Sequence, residues 1–239
     1  MSIRAMMLSL GAFFLLQFIF FSFLVHKDIF TQFDFNTTVK FQDKIPDKVI
    51  NEFSFLSEIG KFEVTTIVLI VLLIIVRRLY AGIIVFASYV GFHVIEVFGK
   101  WFVDHPPPPQ FMLKTEQLFN MSQFHVRSEF SYPSGHSGRA VFLAILFIIL
   151  VWQIKRFPLV IKLISTAGIG GYVVLMLVSR IYLGEHWTTD VIGGSLLGAA
   201  MGCAAGAFLI VQRHKVKEHG NVEKKQLFPK YKVEIKRVA

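Results

Sequence analysis

The sequence predicts an all-α integral membrane protein, a compact helical bundle with six transmembrane helices. Of its 239 residues, 54% are hydrophobic and only 17% are charged, whereas soluble domains have about 25% charged residues. The missing charge is concentrated in long uncharged runs, and a helix needs about 20 apolar residues to cross the hydrocarbon core of a bilayer. Water is therefore not the main solvent of this chain.

Six apolar runs follow one another and define a membrane domain over residues 1–212. They cover residues 5–25, 55–76, 79–103, 137–154, 158–179 and 189–212. The first run is too long for a cleaved signal peptide and lacks a small-residue cleavage site, so we expect it to stay attached. The second run is the weakest, because its apolar core is short and Lys61 and Glu63 directly precede it. Segment 26–62 mixes charge with phenylalanine, which predicts short interfacial structure.

The distribution of Lys and Arg between the connections predicts the orientation, because positive residues are retained in the cytoplasm. One set of alternate connections carries an excess of basic residues: Arg4, Arg77-Arg78, Lys155-Arg156 and the tail. In the other set, acidic residues match or nearly match the basic ones. We therefore expect both termini on the cytoplasmic side of a plasma (inner) membrane, and segments 104–136 and 180–188 on its outer face.

The net charge of +9 is mostly a property of the basic cytoplasmic tail, residues 213–239. This tail holds nine Lys or Arg and three Glu, a contribution of +6. Topology and anionic lipid explain a basic tail beside a membrane span. No nucleic-acid motif accompanies it, so we expect no nucleic-acid partner. The single cysteine, Cys203, cannot form an internal disulfide and has no partner for a thiolate metal site.

Ionisable residues at membrane depth are costly and commonly functional, and the first cluster of them ends the third span. His93, Glu96 and Lys100 lie three and seven residues apart, which places them on one helix face. Glu96 can pair with Lys100. The alternative for Lys100 is that it only extends its ammonium group to the interface. The four prolines of 106–109 stop the helix.

The second cluster, YPSGHSGRA, directly precedes the fourth span. Ser134 and Gly135 offer a hydroxyl group and an unhindered backbone N–H at a helix start, where amides and the helix dipole favour an anion. His136 is within reach of anything bound there. The simpler alternative is that Ser134 or Ser137 caps the helix; capping and anion binding use the same groups, so the two are compatible.

The third cluster, SRIYLGEHWTTD, joins the fifth and sixth spans. If the sixth helix begins near His186, the imidazole Nδ1–H can be accepted by the carboxylate of Asp190, four residues later. That bond leaves Nε2 of His186 unprotonated and nucleophilic. Arg180 supplies a planar fork that matches phosphate oxygens. The cluster therefore predicts an anion site with a histidine nucleophile.

These clusters resemble the motifs of the type 2 phosphatidic acid phosphatase (PAP2) superfamily, whose signature is K-x6-RP, PSGH and SR-x5-H-x3-D. The second and third motifs match residue for residue. The first departs from the pattern, because Pro107 stands where the arginine is expected. That change removes a phosphate-binding guanidinium, and we consider His105 and Arg127 as candidates for the missing donor.

The resemblance implies a metal-independent and cofactor-free phosphatase that acts on a membrane lipid phosphate. His186 would be the nucleophile that forms a phosphohistidine, Asp190 would orient it, and His136 would be the acid for the leaving group and then the base for water. The residues that would hold the phosphate oxygens are Lys100, Ser134, Gly135 and Arg180. The substrates that this implies, at the outer leaflet, are undecaprenyl diphosphate, phosphatidylglycerol phosphate and phosphatidic acid.

The sequence alone leaves several alternative functions open. The same scaffold could be a phosphotransferase, or a catalytically impaired lipid-phosphate-binding protein because of Pro107. His136, His186 and Asp190 could instead form a two-histidine, one-carboxylate metal site. A channel or transporter fits less well, because the polar residues cluster at one interface.

A stripe of glycines recurs at every fourth residue of the sixth span: Gly194, Gly198, Gly202 and Gly206. Small residues at this spacing let helices approach closely in lipid. We expect the stripe to pack inside the bundle, with a homodimer interface as the alternative.

Overall fold

The computed structural model describes residues 1–114 and 130–210. All regular secondary structure in these ranges is helical, which confirms the predicted class. The α-helices are α1 (Ile3–His26), α2 (Thr31–Lys44), α3 (Ile50–Ile59), α4 (Phe62–Val76), α5 (Leu79–Phe102), α6 (Gly135–Gln153), α7 (Leu159–Tyr182) and α8 (Thr188–Leu209). Short 3₁₀ turns cover Asp47–Val49 and Gln110–Met112. The basic tail and Arg127 lie outside the described residues.

Five of these helices are long and apolar enough to cross a membrane: α1, α5, α6, α7 and α8. The second predicted span is different, because it is broken into α3 and α4. The segments Asp47–Ile59 and Phe62–Val76 meet at a bend of 53°, and together they make a sixth candidate span. The described residues therefore contain five or six spans, depending on how this bent pair is counted.

The bend in the second span lies at a buried ion pair. Lys61 is only 5% exposed, and its Nζ lies 2.6 Å from the carboxylate of Glu58. The backbone N–H of Gly60 donates to the carbonyls of Leu56 and Ser57, so α3 ends between the two members of the ion pair. The break between α3 and α4 therefore coincides with this buried pair and precedes the apolar run of α4.

Helix α8 lies against both α6 and α1, and its glycines permit the contact with α6. A Cβ atom on Gly194 would lie 2.1 Å from the carbonyl oxygen of Ser134, and one on Gly198 would lie 2.2 Å from that of Gly138. Further along α8, a Cβ atom on Gly206 would lie 2.3 Å from the Ile149 side chain. The prediction that the stripe packs inside the bundle is therefore confirmed.

The helices that surround α8 carry large exposed hydrophobic side chains. On α1, α5 and α7 these include Phe20, Phe98 and Ile164, with exposed fractions of about 60%. An apolar surface of this kind is stable only in contact with lipid. The bundle therefore has a packed centre around α6 and α8, and a wide lipid-facing perimeter.

Candidate active site

The predicted pair of His186 and Asp190 is formed at the start of α8. Nδ1 of His186 lies 3.3 Å from Oδ2 of Asp190, which is completely buried. The same carboxylate oxygen accepts the backbone N–H of Trp187 at 2.9 Å. Because α8 begins at Thr188, His186 lies in the preceding turn, and the carboxylate holds both the helix start and the imidazole. A donated Nδ1–H leaves Nε2 of His186 as the nucleophilic nitrogen.

The start of α6 lies directly against this pair. The backbone N–H of Ser134 donates to the carbonyl oxygen of Asp190 at 3.0 Å. Ser134 is the N-cap of α6: its Oγ accepts the backbone N–H of Ser137 at 3.4 Å and the Ser137 hydroxyl at 3.0 Å. The prediction that Ser134 caps this helix is confirmed, and His136 is the second residue of α6.

Gly135 is the first residue of α6, and its surroundings leave no room for a side chain. A Cβ atom here would lie 2.0 Å from Oε1 of Glu96 and 2.7 Å from Nη1 of Arg139. The missing Cβ thus lets a carboxylate and a guanidinium approach the amide end of the helix. The second motif and the third span meet at this point.

Arg180 is fully buried at the end of α7. One of its terminal nitrogens, Nη1, contacts the carboxylate of Glu185. The other two nitrogens, Nε and Nη2, are buried without a hydrogen-bond partner among the described residues. A buried donor without a hydrogen-bond partner is costly. These two nitrogens are therefore available to donate to the oxygens of a phosphate.

Lys100 and Glu96 lie on the same helix but do not form the predicted pair. Glu96 contacts Nδ1 of His93 at 3.0 Å and the guanidinium of Arg139 at 3.6 Å. The charge of Lys100 acts on Glu96 without a salt bridge, and it also acts on His136, together with those of Arg180 and Arg139. The three cations therefore converge on the same histidine from three helices.

Arg139 is a polar residue of the site that the sequence analysis missed. Its Nε donates to the carbonyl of Gly60 at 3.1 Å, and its Nη2 lies 3.4 Å from Nδ1 of His136. The available signal was a charged residue near the start of an apolar span, which is a functional candidate by default. Only the structure shows that the broken second span supplies its acceptor.

His105, a candidate for the missing donor, lies on the far side of Asp190. Its Nε2 is 3.6 Å from Oδ1 of Asp190, 3.6 Å from the carboxylate of Asp34 and 3.2 Å from Oγ1 of Thr189. Asp34 in turn accepts both the N–H and the hydroxyl of Thr189, at 2.9 and 2.6 Å. Burial raises the pKa of the Asp34 carboxyl. Pro107, by contrast, lies exposed at the surface.

The alternative of a metal site concerns His136, His186 and Asp190. Among residues 1–114 and 130–210, no three His, Cys, Asp or Glu side chains form a group that could hold a metal ion. His136, His186 and Asp190 are neighbours at one end of the bundle without forming a ligand set.

The fold and the site define a class: an integral membrane bundle that gathers a histidine, its carboxylate and several cations where four helices meet. Within that class, the chain belongs to the PAP2 superfamily, whose family model matches residues 77–214, more than half of the sequence. The family that the motifs predicted is thereby confirmed.

Two curated relatives match parts of the chain. Phosphatidylglycerophosphatase B of Bacillus subtilis is 41% identical over 73 residues, which are 30% of this chain and 35% of that protein. An undecaprenyl-diphosphatase of Sulfolobus acidocaldarius is 30% identical over 145 residues, which are 61% of this chain and 63% of that protein. The matches thus span less than two thirds of the length of either relative.

Two crystal structures share the fold. One is the transmembrane PAP2 type phosphatidylglycerolphosphate phosphatase from Bacillus subtilis, with a TM-score of 0.67 and 19% identity over 82% of this chain and 94% of that one. The other is LpxE from Aquifex aeolicus, with a TM-score of 0.54 and 21% identity over 72% of this chain and 94% of that one. At these identities the similarity concerns the fold alone.

Proposed function

We propose that this protein is a lipid phosphatase that hydrolyses a lipid phosphate or diphosphate through a phosphohistidine at His186. One observation carries the proposal: the His186–Asp190 pair, the start of α6 and the buried Arg180 lie together although their motifs are far apart in sequence. A nucleophile, a helix amide end and paired cations are the groups that phosphoryl transfer requires.

In the proposed reaction, Nε2 of His186 attacks the phosphorus atom while Asp190 retains the Nδ1 proton and stabilises the positive ring. Arg180 donates from Nε and Nη2, which have no hydrogen-bond partner in the described part of the chain, and Lys100 adds a point charge. Ser134 and the Gly135 amide supply the helix start, which favours an anion. Water then releases inorganic phosphate from His186. Positioning and charge neutralisation carry these steps, so the proposal needs no metal ion or other cofactor.

For the substrate, we propose a polyprenyl diphosphate such as undecaprenyl diphosphate first, and phosphatidylglycerol phosphate or phosphatidic acid next. The names of the curated relatives support this range, since one is an undecaprenyl-diphosphatase and the other a phosphatidylglycerophosphatase. The perimeter of exposed apolar side chains supports a substrate that arrives within the bilayer.

We further propose that the site opens at the outer leaflet of a plasma (inner) membrane and that both termini are cytoplasmic. The basic residues Arg4, Arg77 and Arg78 lie at one end of the bundle, opposite the site. Reporters fused to each terminus and to the connection near residue 110 test this orientation. A cytoplasmic signal from that connection would reverse it.

The function is tested by phosphate release from a panel of lipid phosphates, with the detergent-purified protein in EDTA and a His186→Ala control. We expect release in EDTA that is lost in the variant. Release that persists in His186→Ala would exclude the phosphohistidine. Phosphorylated alcohol in place of free phosphate would indicate a phosphotransferase, and a folded but inactive wild type would indicate an impaired lipid-binding protein.

A further inference from the structure

The change in the first motif leaves the proposed phosphate site without one of the family's cations. Pro107 takes the place of the arginine, and it lies exposed at the surface. His105 lies on the far side of Asp190, and all three guanidinium nitrogens of Arg139 already face protein groups. Neither His105 nor Arg139 is therefore placed to replace the lost guanidinium as a phosphate donor.

A further buried cation, Lys61, lies at the break between α3 and α4. The residue is only 5% exposed. Its backbone carbonyl accepts the N–H of Thr65 at 3.0 Å, so the start of α4 fixes the main chain at this point. A charged side chain that is buried in a membrane span is costly, and it is a functional candidate by default.

The main chain directly before Lys61 already touches the candidate active site. A Cβ atom on Gly60 would lie 2.7 Å from Cδ2 of His136 and 2.8 Å from Cε of Met176. The carbonyl of Gly60 accepts Nε of Arg139 at 3.1 Å. Lys61 therefore leaves the backbone one residue away from groups of α6 and α7 that surround the proposed phosphate site.

The ammonium group of Lys61 has a carboxylate beside it that it shares with another cation. Its Nζ lies 2.6 Å from Oε2 of Glu58, and the charge of Glu58 also acts on the guanidinium of Arg180. Oε2 has no hydrogen-bond partner among the described residues, so this contact is an ion pair without hydrogen-bond geometry. An ammonium group has three N–H donors, which leaves donors for a further acceptor.

Helix α3 presents a buried polar face on the same side of the bundle. Ser54, Ser57 and Glu58 are three and four residues apart, which places them on one face of the helix. The two serines are 1% and 5% exposed, and Oγ of Ser54 is buried without a hydrogen-bond partner in the described part of the chain. Because α3 packs against α7, which carries Arg180, this face fits a polar ligand between the two helices.

We propose that Lys61 binds the phosphate group in place of the guanidinium that Pro107 removes, and that Glu58 is its counter-ion while the site is empty. A phosphate oxygen then takes the place of the Glu58 carboxylate at one or more of the Lys61 donors. The broken second span thereby supplies a charge that the first motif lacks. This inference rests on the proposed phosphatase function and adds a substrate-binding residue to that site.

The charges around Arg180 show why a further cation is needed. Two carboxylates act on its guanidinium, those of Glu185 and Glu58. Arg180 and Lys100 together carry two positive charges, which these two carboxylates balance. Lys61 makes this group of side chains positive, and a positive group attracts a phosphate dianion.

The test measures binding of inorganic phosphate to the detergent-purified protein, through the rise in unfolding temperature with phosphate concentration. We expect the dissociation constant to rise at least about tenfold in Lys61→Met, on the scale of one hydrogen bond to a charged group. In Lys61→Arg, which keeps a positive donor, it should stay within about threefold of the wild-type value. KM for a lipid phosphate should follow the same order. An unchanged dissociation constant in Lys61→Met would overturn the proposal.

A second pair of variants separates phosphate binding from neutralisation of Glu58. Lys61→Met is introduced into Glu58→Gln, where no carboxylate remains to be neutralised. We expect the dissociation constant to rise at least about tenfold in this background too, whereas equal values with and without Lys61→Met would overturn the proposal. The double variant leaves no unpaired charge from the pair in the buried site, so the comparison holds even if Lys61→Met alone does not fold.

Lys162→Met is the matched control, because Lys162 also lies in a membrane-spanning helix but at the opposite end of α7 from Arg180. Its Nζ donates to the Trp152 carbonyl at 3.2 Å. The dissociation constant of this variant should equal that of the wild type, and a loss as large as in Lys61→Met would overturn the proposal.

Failure of this inference is distinguishable from failure of the proposed function. A wild type that binds inorganic phosphate but releases none from the lipid panel would contradict the phosphatase function, while the ratios of dissociation constants still decide the role of Lys61. A wild type whose unfolding temperature does not respond to inorganic phosphate would overturn the inference, even if the lipid panel shows activity that is lost in His186→Ala.

Discussion

The backbone N–H of Ser134 donates to the carbonyl oxygen of Asp190 across 3.0 Å. This hydrogen bond joins the start of α6, where the proposed anion-binding amides lie, to the start of α8, where the Asp190 carboxylate contacts His186. The distance between the proposed nucleophile and the proposed phosphate site is therefore fixed by main-chain atoms. Side-chain substitutions around the site are therefore expected to change the rate of the reaction without changing this distance.

Glu185 is expected to compete with the substrate for Arg180. Its carboxylate contacts Nη1 of that buried guanidinium, and a phosphate would seek the same donor. In Glu185→Gln the competing negative charge is removed, so KM for a lipid phosphate should fall about threefold to tenfold, with a smaller change in kcat. Inhibition by inorganic phosphate, measured on the same preparation, should strengthen in parallel. A raised KM would contradict this view of the contact.

His105 is expected to act on catalysis through Asp190. Its Nε2 lies 3.6 Å from the oxygen of Asp190 that does not face His186. Loss of such a buried polar neighbour costs about 1.5 kcal/mol, so kcat should fall about tenfold in His105→Gln while KM stays near the wild-type value. Steady-state kinetics separate the two parameters. A rise in KM with unchanged kcat would instead support a direct phosphate contact by His105.

Asp34 is expected to make stability depend on pH. Burial raises its pKa in the folded state above the ordinary value of 3.8, so ionisation of this carboxyl disfavours folding. The wild type should therefore lose stability as pH rises through the folded pKa, and the loss should be absent below about pH 3.8. Thermal unfolding of wild type and Asp34→Asn between mildly acidic and neutral pH measures this difference.

Asn is a suitable replacement, because its amide can still accept from the Thr189 N–H and can donate to the Thr189 hydroxyl. We expect the stability of the wild type relative to Asp34→Asn to improve toward acidic pH. A difference that stays constant with pH would show that the Asp34 carboxyl has an ordinary pKa.

The packing of α8 on α6 is expected to tolerate no side chain at Gly198. A Cβ atom there would lie 2.2 Å from the carbonyl oxygen of Gly138, and a backbone neighbour cannot rotate aside. Gly198→Ala should lose about 1–3 kcal/mol of stability, the range for overpacked sites. In Gly168→Ala the new methyl group meets nothing within 4 Å, so that variant should be as stable as the wild type. Thermal unfolding in detergent compares the two.

Local sequence patterns predict those parts of the site that depend on short spacing or on a motif. The pairing of His186 with Asp190 is correct, although α8 begins at Thr188 and the histidine lies in the turn before it. The cap at Ser134 and the internal packing of the glycine stripe are also correct. In each case the determining feature is the spacing of two residues along one helix turn or the size of a side chain. Both can be read directly from the sequence.

Contacts between distant segments account for what the sequence did not predict. Asp34 reaches Thr189 across 155 positions of the chain, and nothing in segment 26–62 indicates that partner. The preference of Glu96 for Arg139 over Lys100 depends on how α5 and α6 pack. The break at Gly60 falls between Glu58 and Lys61, whereas hydropathy averages over the whole run.

The bend between α3 and α4 also limits how this protein can diverge. Straightening the second span would return the Gly60 carbonyl to the hydrogen-bond ladder of one continuous helix, and Arg139 would lose the acceptor of its Nε. A guanidinium without that acceptor would no longer be aimed at His136. Replacement of the Glu58–Lys61 pair by apolar residues would make a better membrane span by hydropathy. A hydropathy gain in this helix is thus expected to be paired with loss of the contact between Arg139 and His136.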